Sequence, residues 1–135
     1  MDAVSWLMGK KVLLVDDDEM IRNSMRLFFD AKGCHYRSRE SAEGALEELA
    51  SESYDLIVSD YKLPGIDGLK FFESIRASHP TAAKMLITAY GSPGLFSRAE
   101  QMGVAGCIEK PLTPEKVETC LARIGSNVPQ LVAGL

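Results

Sequence analysis

Five short apolar runs alternate with segments of helical spacing along this chain, and no other feature constrains its fold as strongly. A strand, a helix and a further strand repeated in this way build a parallel sheet with helices on its faces. The runs predict strands at Lys11–Val15, His35–Ser38, Asp55–Ser59, Lys84–Thr88 and Gly106–Ile108. Val12-Leu13-Leu14-Val15 and Leu56-Ile57-Val58 are continuously apolar, as expected of strands covered on both faces, so these two belong in the middle of the sheet.

Each intervening segment carries one apolar stripe. The stripes are Ile21, Met25, Phe28 and Phe29; Ala42, Ala45, Leu46 and Leu49; Leu69, Phe72 and Ile75; Leu95, Ala99 and Met102; and Val117, Cys120, Leu121 and Ile124. Ser41 is placed to cap the second helix, and Thr113-Pro114 suits the cap and first position of the fifth. Gly33, Gly103 and Gly125 stand where helices are expected to stop. Trp6, ahead of the first strand, has two readings: a cover for the bottom of the sheet or part of a partner interface.

A chain of 135 residues encloses one sizeable core, and 46% apolar with 25% charged residues is ordinary for a packed domain. The expected unit spans residues 10–125, with short extensions at 1–9 and 126–135. A formal charge of -4 gives no broad attraction to nucleic acid or to an anionic membrane, so neither direct nucleic-acid binding nor membrane insertion is expected. Cys34, Cys107 and Cys120 form no C-x-x-C pair, which fits free thiols in the cytoplasm, and Cys120 falls on a core stripe. Residues 1–9 lack the pattern of a signal peptide, and no apolar stretch is long enough to cross a bilayer.

Ligands of an open parallel sheet bind beyond the carboxyl ends of its strands. Here those ends are Asp16-Asp17-Asp18-Glu19 after the first strand, Asp60 after the third, Thr88 at the fourth and Lys110-Pro111 after the fifth. Clustered carboxylates raise one another's pKa, and a divalent cation relieves the repulsion. Mg²⁺ prefers hard oxygen ligands and keeps several waters, which matches Asp17 and Asp60 as direct ligands with Asp16 acting through water. The Lys110 ammonium and Thr88 hydroxyl are donors suited to phosphoryl oxygens, and Asp60 is then the phosphoacceptor. Each residue alone has a plainer explanation. Acidic residues suit a helix's first turn, Asp67-Gly68 suits a turn and cap, Lys110 suits a solvated surface, and Thr88 suits a strand. Their joint placement at four strand ends carries the argument.

Over Lys11 to about Ile124 these residues resemble the receiver domains of bacterial two-component response regulators. The resemblance lies in Asp16-Asp17, Val58-Ser59-Asp60, Leu63-Pro64-Gly65-Ile66-Asp67-Gly68, Thr88-Ala89 and Lys110-Pro111, in the family's order and spacing. It implies a flavodoxin-like, doubly wound α/β fold with five parallel strands in the order 2-1-3-4-5 and five helices. It further implies that Asp60 takes a phosphoryl group from a histidine kinase or phosphotransfer protein. Lys62 would lend its backbone carbonyl to Mg²⁺, and Thr88 and Lys110 would bind the phosphoryl group. Such a chain modifies only itself and is no turnover enzyme. Its output is binding to a downstream protein target, as a monomer or a phosphorylation-dependent dimer.

Cys107 departs from the family, which often has Tyr or Phe three residues before the lysine. A small thiol cannot swing in and out of a pocket as a ring can, so signal transmission is expected to fall on Thr88 and the loop Ala89–Gly94, whose Gly91, Pro93 and Gly94 suit a weakly formed start to the fourth helix. Tyr90, near the phosphoryl site, is expected to modulate the lifetime of the modification together with Lys62. Two alternatives stay open. One is a phosphorylation-independent interaction module; the other is a phosphatase with Asp16 as nucleophile, which Met20 and the lack of a cap domain disfavour.

Overall fold

The computed structural model describes residues 3–127. Five strands, β1 (Lys11–Val15), β2 (His35–Arg39), β3 (Leu56–Asp60), β4 (Ala83–Thr88) and β5 (Gly106–Glu109), alternate with five helices. The helices are α1 (Glu19–Ala31), α2 (Ala42–Ser51), α3 (Gly68–Ile75), α4 (Pro93–Gln101) and α5 (Pro114–Asn127). All neighbouring strands are parallel and their order is β2-β1-β3-β4-β5, the order that the family resemblance implied. β3 begins one residue later than its apolar run implied. Asp55 instead turns its carboxylate to the Lys11 N–H at 2.9 Å, and the strand continues through Asp60, which pairs with Ile87.

Period-two alternation divides the buried strand residues between the two faces of the sheet. Val12, Leu14, Val58, Met85 and Ile87 pack with Met25 and Phe29 of α1 and with Val117, Leu121 and Ile124 of α5. Leu13, Val15, Ile57 and Leu86 face Ala45 and Leu49 of α2, Phe71 and Phe72 of α3, and Leu95 and Ala99 of α4. Cys120 is buried in the first of these clusters, as its position on the α5 stripe required.

Polar side chains satisfy the orphan amides at the helix starts. Asp18, Ser41, Asp67 and Ser92 accept from Met20, Gly44, Lys70 and Leu95 N–H groups, and Thr113 Oγ1 accepts from Lys116 N–H. Each such cap is worth about 1 kcal/mol. The start of α4, expected to be weakly formed, thus has a serine cap followed by Pro93 in the first helical position.

Gly33 and Gly103 follow their helices with positive φ, as expected, but Gly125 does not end α5. It lies inside the helix, where a Cβ would stand 2.3 Å from Trp6 Nε1. Its role is therefore close approach. Trp6 is 3% exposed and donates to the Leu121 carbonyl at 3.1 Å, so of the two readings of Trp6 the structure selects the buried cover. Val4 and Leu7 share that cluster, which makes the stretch before β1 part of the core. The tail beyond residue 127 lies outside the described residues. Among those described, no helix is long and apolar enough to cross a membrane.

Edge strand β2 is tied to α2 through Glu48, a carboxylate 5% exposed. Its Oε1 accepts from Arg39 Nη2 and Nε at 2.8 and 3.2 Å, and its Oε2 from Tyr54 OH and Arg37 Nη1 at 2.7 and 3.1 Å. The Tyr54 hydroxyl bond and then the Arg39 guanidinium hold this carboxyl below the usual glutamate range.

Candidate phosphoacceptor site

Right-handed crossovers bring the carboxyl ends of β1, β3, β4 and β5 to one edge of the sheet. Asp16 leaves β1 with its N–H donating to Arg39 O at 3.1 Å, while Asp60 is the last residue of β3. Thr88 is the last residue of β4, and its carbonyl accepts from Lys110 N–H at 2.8 Å, which sets the lysine beside the acidic ends. Asp16, Asp17 and Asp60 each offer a carboxylate oxygen, and these atoms lie within 4.8 Å of one another. The three acidic positions and the lysine expected to converge do so.

Three carboxylates face one ammonium. Lys110 Nζ donates to Asp60 Oδ2 at 3.1 Å and stands 3.6 Å from Asp16 Oδ2. Asp16 is fully enclosed, and its Oδ1 accepts from Asp18 N–H at 2.9 Å. Its buried Oδ2 has no hydrogen-bond partner among the described residues. Burial above all, with the charges of Asp60 and Asp17 adding to it, raises the Asp16 pKa to about 6 against the opposing Asp18 amide and Lys110. Burial also raises Asp60, in part offset by Lys110 and the Lys62 backbone amide. For Lys110, burial opposes the charged form, but Asp16 and Asp60 outweigh it and raise the pKa. Excess negative charge and an orphan buried oxygen are what a hard divalent cation would satisfy, so the donor set fits Mg²⁺.

The remaining candidates lie around this cluster. Thr88 is 3% exposed, and its hydroxyl oxygen accepts from the Tyr90 N–H at 3.2 Å, tying β4 to the loop that follows. The Tyr90 side chain is 86% exposed. Lys62 is also exposed, in the loop after Asp60. That loop must close tightly, because Gly68 N–H donates to Tyr61 O at 2.7 Å and a Cβ on Gly68 would come 2.3 Å from Asp60 O. Only glycine fits there, which accounts physically for the Asp67-Gly68 step. Cys107 is half-buried against the cluster under α2, α3 and α4, and burial raises its thiol pKa.

Two cations at the rim were not singled out from the sequence. Arg22 Nη1 donates to Asp16 O at 2.9 Å, and Lys116 Nζ reaches the carbonyls of Glu109 and Pro111, on either side of Lys110, at 3.3 and 3.2 Å. Arg22 had one legible signal: with Met25 and Phe29 it forms an i, i+3, i+7 series on the inward face of α1, an unusual place for a charge.

Residues 12–122 match the response regulator receiver domain family. The chain is 34% identical over 116 residues to the response regulator protein FleR of Pseudomonas aeruginosa, a match covering 86% of this chain and 24% of that protein. It is 26% identical over 119 residues to sporulation initiation phosphotransferase F of Bacillus subtilis, covering 87% of this chain and 94% of that one. The chemotaxis response regulator CheY4 of Vibrio cholerae superposes with a TM-score of 0.80 at 25% identity, over 87% of this chain and 99% of that one. The chain thus spans about a quarter of FleR but nearly the full length of the other two. A family match over most of the sequence agrees with the strand order derived above, and the chain belongs to the receiver domain family of two-component response regulators.

Proposed function

We propose that this receiver accepts a phosphoryl group on Asp60 in a Mg²⁺-dependent reaction and thereby changes a protein-binding surface. The observation that carries the reading is the Lys110 ammonium, 3.1 Å from Asp60 Oδ2 and 3.6 Å from Asp16 Oδ2, two of the three carboxylates that converge there. In this reading an Asp60 oxygen attacks the donor's phosphorus, the bond from phosphorus to the donor nitrogen or oxygen breaks, and the leaving group keeps the electron pair. Lys110 holds a phosphoryl oxygen, and the Thr88 hydroxyl, which accepts from the Tyr90 amide, donates its own proton to another. Asp17, Asp60 and the Lys62 carbonyl would hold the ion, with Asp16 acting through water. Bound there, Mg²⁺ would supply positive charge to the phosphoryl oxygens and relieve the carboxylate repulsion.

The donor is a histidine kinase or phosphotransfer protein. Met20, which directly follows the acidic turn, and Leu27, further along α1, are 79% and 73% exposed and offer it an apolar footing on that helix. The output partner is a separate protein, or a second copy of the chain after phosphorylation. Tyr90 and Lys62 at the rim set how fast water reaches the phosphorus. Asp16 is a poor alternative nucleophile, being fully enclosed with one oxygen taken by the Asp18 amide. Incubation with Mg²⁺ and acetyl phosphate, followed by mass spectrometry, should place one phosphoryl group on Asp60 and none on Asp60→Asn. Stoichiometric labelling of that variant would overturn the assignment.

A further inference from the structure

Asp16 and Asp17 project from either side of a single peptide group, so the orientation of that group governs where both carboxylates point. Its oxygen, Asp16 O, is the acceptor of the 2.9 Å bond from Arg22 Nη1. The arginine is itself held from several directions. Its side chain is 15% exposed, and Nη2 lies 3.5 Å from Glu40 Oε1 in the turn after β2. Its backbone N–H donates to Asp18 O at 3.0 Å, and its carbonyl accepts from Tyr36 OH at 2.9 Å. One planar fork thereby joins the β1–α1 turn to the β2–α2 turn, a geometry that a lysine ammonium does not reproduce.

We propose that Arg22 is a positioning residue for the divalent-cation site, fixing the Asp16–Asp17 peptide so that the carboxylates meet the strict geometry of a small ion. The inference rests on the phosphoacceptor reading above and adds a residue that touches neither metal nor phosphate. Two physical arguments make it separable from other roles. A guanidinium near a cation site repels the cation, so if its charge were what mattered, removing it would tighten binding. Mg²⁺ demands near-octahedral ligands whereas Ca²⁺ tolerates varied ones, so misaligned carboxylates should weaken Mg²⁺ more than Ca²⁺.

The test is calorimetric titration of the full chain and of Arg22→Met and Arg22→Lys with Mg²⁺ and, separately, Ca²⁺, with thermal unfolding of the metal-free proteins alongside. Arg22→Met should bind Mg²⁺ about tenfold more weakly, the lower end of what outer partners of metal ligands contribute, with Ca²⁺ affinity changed less than about threefold. Arg22→Lys should fall between parent and Arg22→Met. Unchanged or tighter Mg²⁺ binding by Arg22→Met would overturn the proposal, as would equal weakening of both ions. Should Arg22→Met fail to fold, Arg22→Lys decides: a parental Mg²⁺ affinity and a parental ratio between the ions would overturn it. A parent chain that neither binds Mg²⁺ nor labels at Asp60 would instead refute the phosphoacceptor reading, whereas a parent that does both beside unaltered variants would refute only the role of Arg22.

Discussion

Asp16 and Glu48 are both carboxylates removed from water, yet the fold treats them in opposite ways. Glu48 meets four donor contacts from Arg37, Arg39 and Tyr54, and its pKa is lowered. Asp16 has one amide donor, a second oxygen with no hydrogen bond but with the Lys110 ammonium 3.6 Å away, and two acidic neighbours, and its pKa rises to about 6. A buried carboxylate with its lone pairs filled holds structure together; one left short of partners stores a demand for charge that a ligand must meet. The difference separates the β2–α2 edge, which is complete in itself, from the carboxyl edge of the sheet, which is built to receive something.

The largest expected effect breaks the satisfied side. Glu48→Ala leaves two guanidinium groups and a buried hydroxyl without their shared acceptor and should cost about 2–3 kcal/mol in denaturant unfolding. A loss below about 0.5 kcal/mol would show that the four bonds are replaced by water at no cost. Asp16→Asn acts in the other direction: it removes a charge that the metal-free fold opposes and keeps an acceptor for Asp18 N–H. It should stabilise the metal-free protein at pH 7.5 by about 1–2 kcal/mol, and destabilisation would contradict the electrostatic account of the site. Mg²⁺ should in turn raise the melting temperature of the parent more than that of Asp16→Asn.

The two groups should also give opposite pH slopes. Asp16 keeps its proton up to about 6 in the fold against 3.8 as its ordinary value, so its contribution to stability falls as pH rises across that window. Glu48, lowered from 4.5, contributes fully above that value and loses its contribution as pH falls through the lower folded value. Unfolding curves in chelator from pH 3.5 to 7.5 would resolve both. Asp16→Asn should flatten the decline between about pH 4 and 6, and Glu48→Ala should flatten the acid limb. The smallest change sharpens the contrast. Tyr54→Phe removes one of the donors around Glu48 and leaves the arginines, so a cost of about 1 kcal/mol is expected by chemical denaturation, with Mg²⁺ binding unaltered.

Much of the molecule was legible from local pattern. Val12–Val15 and Leu56–Val58 announced central strands because a strand covered on both faces has no polar side to show. Ser41 and Thr113 announced helix starts because an exposed amide needs a short polar acceptor. Asp16, Asp17, Asp60 and Lys110 stood at strand ends, and parallel topology alone brings such ends together. Gly125 misled. It matched the residue type of a helix stop, but its cause lay 119 positions away, in the indole of Trp6.

Sequence alone therefore determined that strands alternate with helices and which strand ends carry the carboxylates and the lysine, since both follow from periodicity and handedness, which act along the chain. The strand order, by contrast, was implied by the family resemblance. Only the tertiary structure decided that Asp16 would be sealed with one oxygen lacking a hydrogen bond among the described residues while Glu48 would be saturated, and that Arg22 would grip the peptide between two carboxylates. A side chain's partners across the fold depend on distances of a few tenths of an ångström between elements far apart in sequence. No local pattern encodes those distances, because they are set by the packing of the whole core.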